Sequence, residues 1–246
     1  PKAGKDMRVD IALQGPKSRD ILLAMGCDAA TAKRIKALKR TQLCEAVVGE
    51  FDLIVSRTGY TGEKMAFELF VHPEKAAELW DAILKIGTPM GAKACGLGAR
   101  DSLRTEAGLP LYGHEMGGDM NFGVAEAGFG SYVKTYKPWF IGRDAFIERE
   151  SKREGVVVRF RFIEKGVRMA HNADPVVDAK GKVIGVVTSC AVDKEGFLTG
   201  QAYLDLKNAV EGTPIAIFQG APKQAGKAPA ELVAGDRINL PNPAVV

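Results

Sequence analysis

Hydrophobic residues are spaced in two ways along this chain. Up to about residue 150, strand-like alternation and helix-like stripes take turns; from Gly155 onward only short strand-like runs remain. Asp10 to Leu13 predicts a short strand entering a turn at Gln14-Gly15-Pro16, and 18–25 predicts a helix with Ile21, Leu22 and Met25 on one face. The basic segment 33–40 fits no single element. Two apolar runs, 46–48 and 53–55, broken at Gly49, predict a hairpin. In 65–71, Phe67, Leu69 and Val71 point one way and Ala66, Glu68 and Phe70 the other. Pro73 opens a helix with Ala76, Leu79, Trp80, Ile83 and Leu84 in one stripe, ended by Gly87. Residues 98–107 predict a second helix, stopped by Gly108 and Pro110. The glycine-rich stretch 113–130 reads as irregular, and 144–148 as a short helix.

The charged run ERESKRE at 148–154 then separates the two textures, which places a domain boundary near residue 151. Beyond it, 156–162, 175–178, 183–188, 199–204 and 214–218 are short strand-like runs separated by turns, of which Lys180-Gly181-Lys182 is the clearest. That spacing predicts a small barrel or sandwich. Residues 220–229 read as a long hairpin loop and 241–246 as a loose tail. The expected class is therefore α+β over 1–150, followed by a small β-barrel domain over 151–246.

Composition narrows the function classes. The chain of 246 residues is 46% apolar and 26% charged, the balance of a globular protein. No apolar run approaches the roughly eighteen residues that suggest a membrane span, and no secretory signal is visible. A net charge of +4, with bases and acids interleaved, gives no nucleic-acid footprint. The four cysteines and three histidines are scattered without metal-ligand spacing, so free thiols in a reducing cytoplasm are expected.

Few side chains suggest chemistry on their own. Glu68 lies in a strand among apolar neighbours, where a carboxylate is costly to bury unless something donates to it. A cross-strand ion pair or a solvent-facing edge would satisfy it. So would a planar ligand presenting paired N–H groups, such as a pterin edge. Arg100 and Arg104, four apart, share a helix face; an exposed charge-laced helix with Asp101 and Glu106 explains them, and so does a carboxylated ligand. The turn at 59–62 lacks the Gly-Lys-Ser/Thr ending of a phosphate loop. Phe122, Phe129, Tyr132, Tyr136 and Trp139 read as packing residues among glycines.

Longer motifs carry more. RTGYTGE at 57–63, FEL at 67–69 and GLGARDSLRTEAGLPLYGHEM at 96–116 resemble the glycine-cleavage T-protein (aminomethyltransferase) family. So do FIGRDAF at 140–146, EKGV at 164–167 and GVVTS at 185–189, all in family order. The resemblance implies a partial T-protein folate-binding fold followed by a C-terminal β-barrel, with tetrahydrofolate as cofactor. It implies aminomethyl transfer from the lipoyl arm of H-protein to tetrahydrofolate, releasing ammonia. The family's pterin-binding glutamate matches Glu68, its folate-contacting arginine matches Arg100, and Tyr60 lies in the motif beside them.

Alternatives within the resemblance are a folate-dependent demethylase of a small methylated compound, a non-catalytic folate-binding module, and a subunit of an amine-oxidising complex. The KGCY-type motif of the non-transferase relatives is absent, with Phe140-Ile141-Gly142-Arg143 in its place, which favours a transferase. Thr188-Ser189-Cys190 stands where the family often has Thr-Ser-Gly, leaving the amine substrate open. The family's catalytic aspartate belongs to a region preceding Gln14-Gly15-Pro16 and has no counterpart here. A missing N-terminal segment or a complementary chain is therefore expected as a partner, besides lipoylated H-protein.

Overall fold

The computed structural model describes residues 4–219 and 241–246. The chain forms two compact units, 1–100 and 101–246.

The first unit is built on a four-stranded antiparallel sheet of order β1-β4-β3-β2, from β1 (Val9–Gln14), β2 (Leu43–Val48), β3 (Phe51–Ser56) and β4 (Ala66–Val71). Helices α1 (Ser18–Ala24), α2 (Ala29–Ala37) and α3 (Ala76–Gly87) supply its other apolar stripes. Leu13, Val48, Leu53, Val55, Phe67, Leu69 and Val71 form one core with Ile21, Leu22, Ile35, Leu79 and Ile83. Phe67, Leu69 and Val71 thus share the buried face that the alternation predicts. The ambiguous basic stretch is largely α2, started by Asp28, whose carboxylate accepts the Thr31 N–H at 2.8 Å. Two details of α3 differ from expectation. Trp80 is 40% exposed, outside the buried stripe. The chain also runs past Gly87 through a 3₁₀ turn at Thr88–Met90 and is turned only by Gly91, at φ 96°.

In the second unit, α4 (Leu97–Glu106), which begins just before the division, is followed by irregular chain and α5 (Arg143–Ser151). The charge run is therefore partly the last turn of a helix. Six strands then close a barrel in the order β10-β5-β8-β7-β6-β9. They are β5 (Gly155–Phe162), β6 (Pro175–Val177), β7 (Val183–Val192), β8 (Leu198–Asp205), β9 (Pro214–Ile217) and β10 (Asn242–Val245). Phe160, Phe162, Val176, Ile184, Val187, Ala202, Leu204, Ile215, Ile217 and Ala244 fill it. The expected loose tail is in fact β10, the strand that closes the barrel between β5 and β9. Its apolar Ala244 is what the ladder buries. The expected loop at 220–229 lies outside the described residues.

The segment from 101 to 154 packs on this barrel. Val157 N–H donates to the Glu126 carbonyl at 2.6 Å, and Phe122 stacks on Tyr203 with ring centroids 4.3 Å apart. That is why the compact division falls at Arg100–Asp101 while the strand-only texture begins at Gly155.

Candidate functional site

Glu68 lies on β4, an interior strand, so it is not an edge residue. Its face of the sheet is the one opposite the helices' core. Pairing sets Ala12 of β1 and Ser56 of β3 beside Glu68, and Asp10 and Ile54 beside Phe70. Among the described residues no base pairs with Glu68. Its Oε2 instead accepts a very short hydrogen bond from the Thr58 hydroxyl, which lies 2.8 Å from the Ser56 hydroxyl. A half-buried carboxylate is thus held by one neutral hydroxyl, itself bonded to a second, and among the described residues Oε1 is left for another donor. Asp10 shares this surface. Partial burial and the nearby Glu68 push its carboxyl up to about 6, although the residue keeps solvent access.

The turn at 57–63 is pinned to the same face. Thr58 reaches Glu68, and Thr61 donates its hydroxyl to Gln14 Oε1 at 2.5 Å. Gly59 passes so close that an added Cβ would lie 2.6 Å from Ala66 Cβ and 2.7 Å from Gln14 Oε1. This close approach explains the glycine in the motif. Tyr60 is thereby fixed beside the sheet, half-buried. Arg100 is exposed, and its guanidinium carbon lies 6.0 Å from the centroid of the Tyr60 ring. The structure thus brings Tyr60 and Arg100 together, and places Glu68 on the strand that the Tyr60 turn leads into.

Arg104 does different work. Arg104 is 1% exposed, and its guanidinium donates from Nη1 to both carboxylate oxygens of Glu115 at 3.1 Å. Nη2 donates to Ser189 Oγ at 2.8 Å, and Nε to Asp101 Oδ1 at 2.7 Å. Glu115 is fully buried and also accepts from the Leu111 N–H at 2.8 Å, Thr188 Oγ1 at 3.0 Å and Ser189 Oγ at 2.5 Å. Burial works to raise its carboxyl, but donation from Ser189, Leu111 and Arg104 prevails and leaves it below the usual carboxylate value. A bulge between Val187 and Ser189 leaves Thr188 unpaired in the β7–β8 ladder, so two successive hydroxyls reach one carboxylate. Sequence reasoning passed over Glu115. Its signal was an acid at the end of the LYGHE motif, eleven residues from an arginine on a helix.

Comparison with known proteins agrees with this architecture. A family model described as the GCVT N-terminal domain matches residues 4–137. The chain belongs to the glycine-cleavage T-protein (aminomethyltransferase) family. It is 40% identical over 223 residues to an "Aminomethyltransferase" of Alkaliphilus oremlandii, covering 84% of this chain and 54% of that protein. It is 42% identical over 183 residues to one of Bacillus pumilus, covering 73% and 47%. The crystal structure of glycine cleavage system aminomethyltransferase T from Bartonella henselae superposes with a TM-score of 0.73 at 26% identity, covering 97% of this chain and 58% of that one. The chain thus spans about half the length of the curated relatives it matches. Among the described residues, no helix is long and apolar enough to cross a membrane.

Proposed function

We propose that this chain supplies the tetrahydrofolate-binding part of an aminomethyltransferase. The transfer would run from the lipoyl arm of H-protein to tetrahydrofolate, giving methylenetetrahydrofolate, ammonia and dihydrolipoyl protein. The observation that carries this reading is Glu68, a carboxylate in mid-sheet that accepts from the Thr58 hydroxyl and is paired with no described base. A tetrahydropterin edge presents N–H groups side by side, and charge-assisted bonds to a carboxylate are the strong ones. In this reading Glu68 anchors the pterin, Tyr60 lies against the ligand, and Arg100 meets a carboxylate of the folate tail. These groups bind and orient tetrahydrofolate; they gain rate by holding its reacting nitrogen in place. We read 1–150 as the folate-binding portion and 151–246 as the barrel domain, in a cytoplasmic enzyme.

The test is methylenetetrahydrofolate formation from aminomethyl-lipoyl H-protein and tetrahydrofolate. The assay is run with the 246-residue chain by itself and with the N-terminal half of an aminomethyltransferase relative added. Turnover on addition, and little without it, is expected. No product in either mixture, with tetrahydrofolate still bound, would leave a binding module and reject the transfer.

A further inference from the structure

Asp10 is a carboxylate near Glu68 that the family motifs above do not account for. The β1–β4 register sets Ala12 opposite Glu68 and Asp10 opposite Phe70. Asp10 and Glu68 are therefore diagonal neighbours on one sheet face, a separation of roughly 7–8 Å between backbones that side chains readily bridge. Both lie on the face opposite Leu13, Phe67 and Leu69, which are packed in the core.

Nothing described in the protein satisfies Asp10. It accepts no hydrogen bond and forms no ion pair among the described residues; partial burial and Glu68 are its influences. Arg8, just before β1, turns elsewhere: Nη1 donates to the Lys5 and Met7 carbonyls at 2.9 and 3.0 Å, and Nη2 lies 3.7 Å from Asp52. Glu68 has the Thr58 hydroxyl, and Asp10 has no equivalent. Asp10 is exposed, so water meets its charge in the free chain; two carboxylates this close still repel each other, and a ligand that supplies N–H groups to both relieves that repulsion.

The tetrahydropterin edge has that supply. Its exocyclic 2-amino group carries two N–H bonds and its N3 carries one. A carboxylate binding N3–H and one amino N–H leaves the second amino N–H pointing away from the first acceptor. We propose that Asp10 is a second anchoring carboxylate of the pterin face, accepting the amino N–H that Glu68 leaves over. This rests on the tetrahydrofolate reading of Glu68. It names the exocyclic amino group as the feature that Asp10 selects. The raised Asp10 carboxyl accords with an acceptor whose donors arrive only with the ligand.

Titration calorimetry on the 246-residue chain tests this, with tetrahydrofolate and with the tetrahydro form of 2-desamino-2-methylfolate, which keeps N3–H but has no amino group. Asp10→Ala should weaken tetrahydrofolate about ten-fold or more, the worth of a charged hydrogen bond. Asp10→Asn, which keeps an acceptor and the shape, should lose less. Neither variant should alter affinity for the desamino compound. If Asp10→Ala binds tetrahydrofolate like wild type while Glu68→Gln is weakened, the role of Asp10 is overturned and the Glu68 site stands. Equal losses for both ligands would also overturn it, because the amino group would not be what Asp10 senses. If wild type shows no saturable tetrahydrofolate binding up to millimolar ligand, the Glu68 reading falls and this inference with it.

Discussion

Arg104 and Glu115 form a buried ion pair, with Nη1 of the arginine 3.1 Å from each oxygen of the glutamate. Ser189 closes the pair into a ring, accepting from Arg104 and donating to Glu115. The pair ties the α4 end of the 101–116 segment to strand β7. Removing one partner leaves the other buried and uncompensated, which costs more than the pair itself contributes.

Arg104→Met should therefore destabilise the second unit by about 3–5 kcal/mol. The double variant Arg104→Met, Glu115→Leu should recover much of that loss, since neither charge then remains. Urea titration of both variants checks this. A single variant as stable as wild type would mean that solvent reaches Glu115.

The division of labour between Arg100 and Arg104 shows where sequence reading stops. Spacing put both on one helix face, and the resemblance chose Arg100 for the ligand. That Arg104 is buried follows from Glu115 and from the bulge at Thr188, both long-range features with no local periodicity. The sheet of the first unit was legible because its alternation survives in Phe67, Leu69 and Val71, all buried. β10 was not legible: Asn242–Val245 is short, contains Pro243, and becomes a strand only through its pairing with β5 and β9. At the candidate site, Glu68 stands out in the sequence because a carboxylate interrupts an apolar strand, while its ligand role is what the family resemblance implies. The Thr58 hydroxyl that holds it reaches it only because the 57–63 turn folds against β4, which no local periodicity encodes.

Glu68→Gln should weaken tetrahydrofolate by about 1.5–3 kcal/mol, since the amide presents a donor where the carboxylate offered only acceptors. The Thr58 hydroxyl can still bond to the amide oxygen, so the fold should hold. Calorimetry that returned equal affinities for variant and wild type would remove Glu68 from the site.

Arg100→Ala should separate binding from stability. The side chain is exposed and contacts the Tyr60 ring at 6.0 Å, an interaction worth about 0.5–1 kcal/mol at such sites. The melting temperature should move little while folate affinity falls. The drop should be smaller for a pterin that has no glutamate tail. If the melting temperature falls and folate affinity stays, Arg100 is an ordinary helix residue.

Asp10 should leave a signature in the pH dependence of stability. Its carboxyl stands at about 6 in the folded chain against 3.8 in the reference state. Between those values the folded chain holds a proton that the unfolded chain has released, so stability falls as pH rises through this window. Below the window both states are protonated; above it both are ionised, and the unfavourable proximity to Glu68 is felt in full. Asp10→Asn cannot ionise and removes that slope. The variant should match wild type near pH 4 and become the more stable of the two by pH 7. Because Asp10 keeps solvent access, the gain is screened and will be a fraction of what the shift alone implies. Thermal melts of both proteins from pH 4 to 7 measure it. A difference in melting temperature that stays constant across this range would show that Asp10 titrates alike in both states, and that Glu68 does not bear on it.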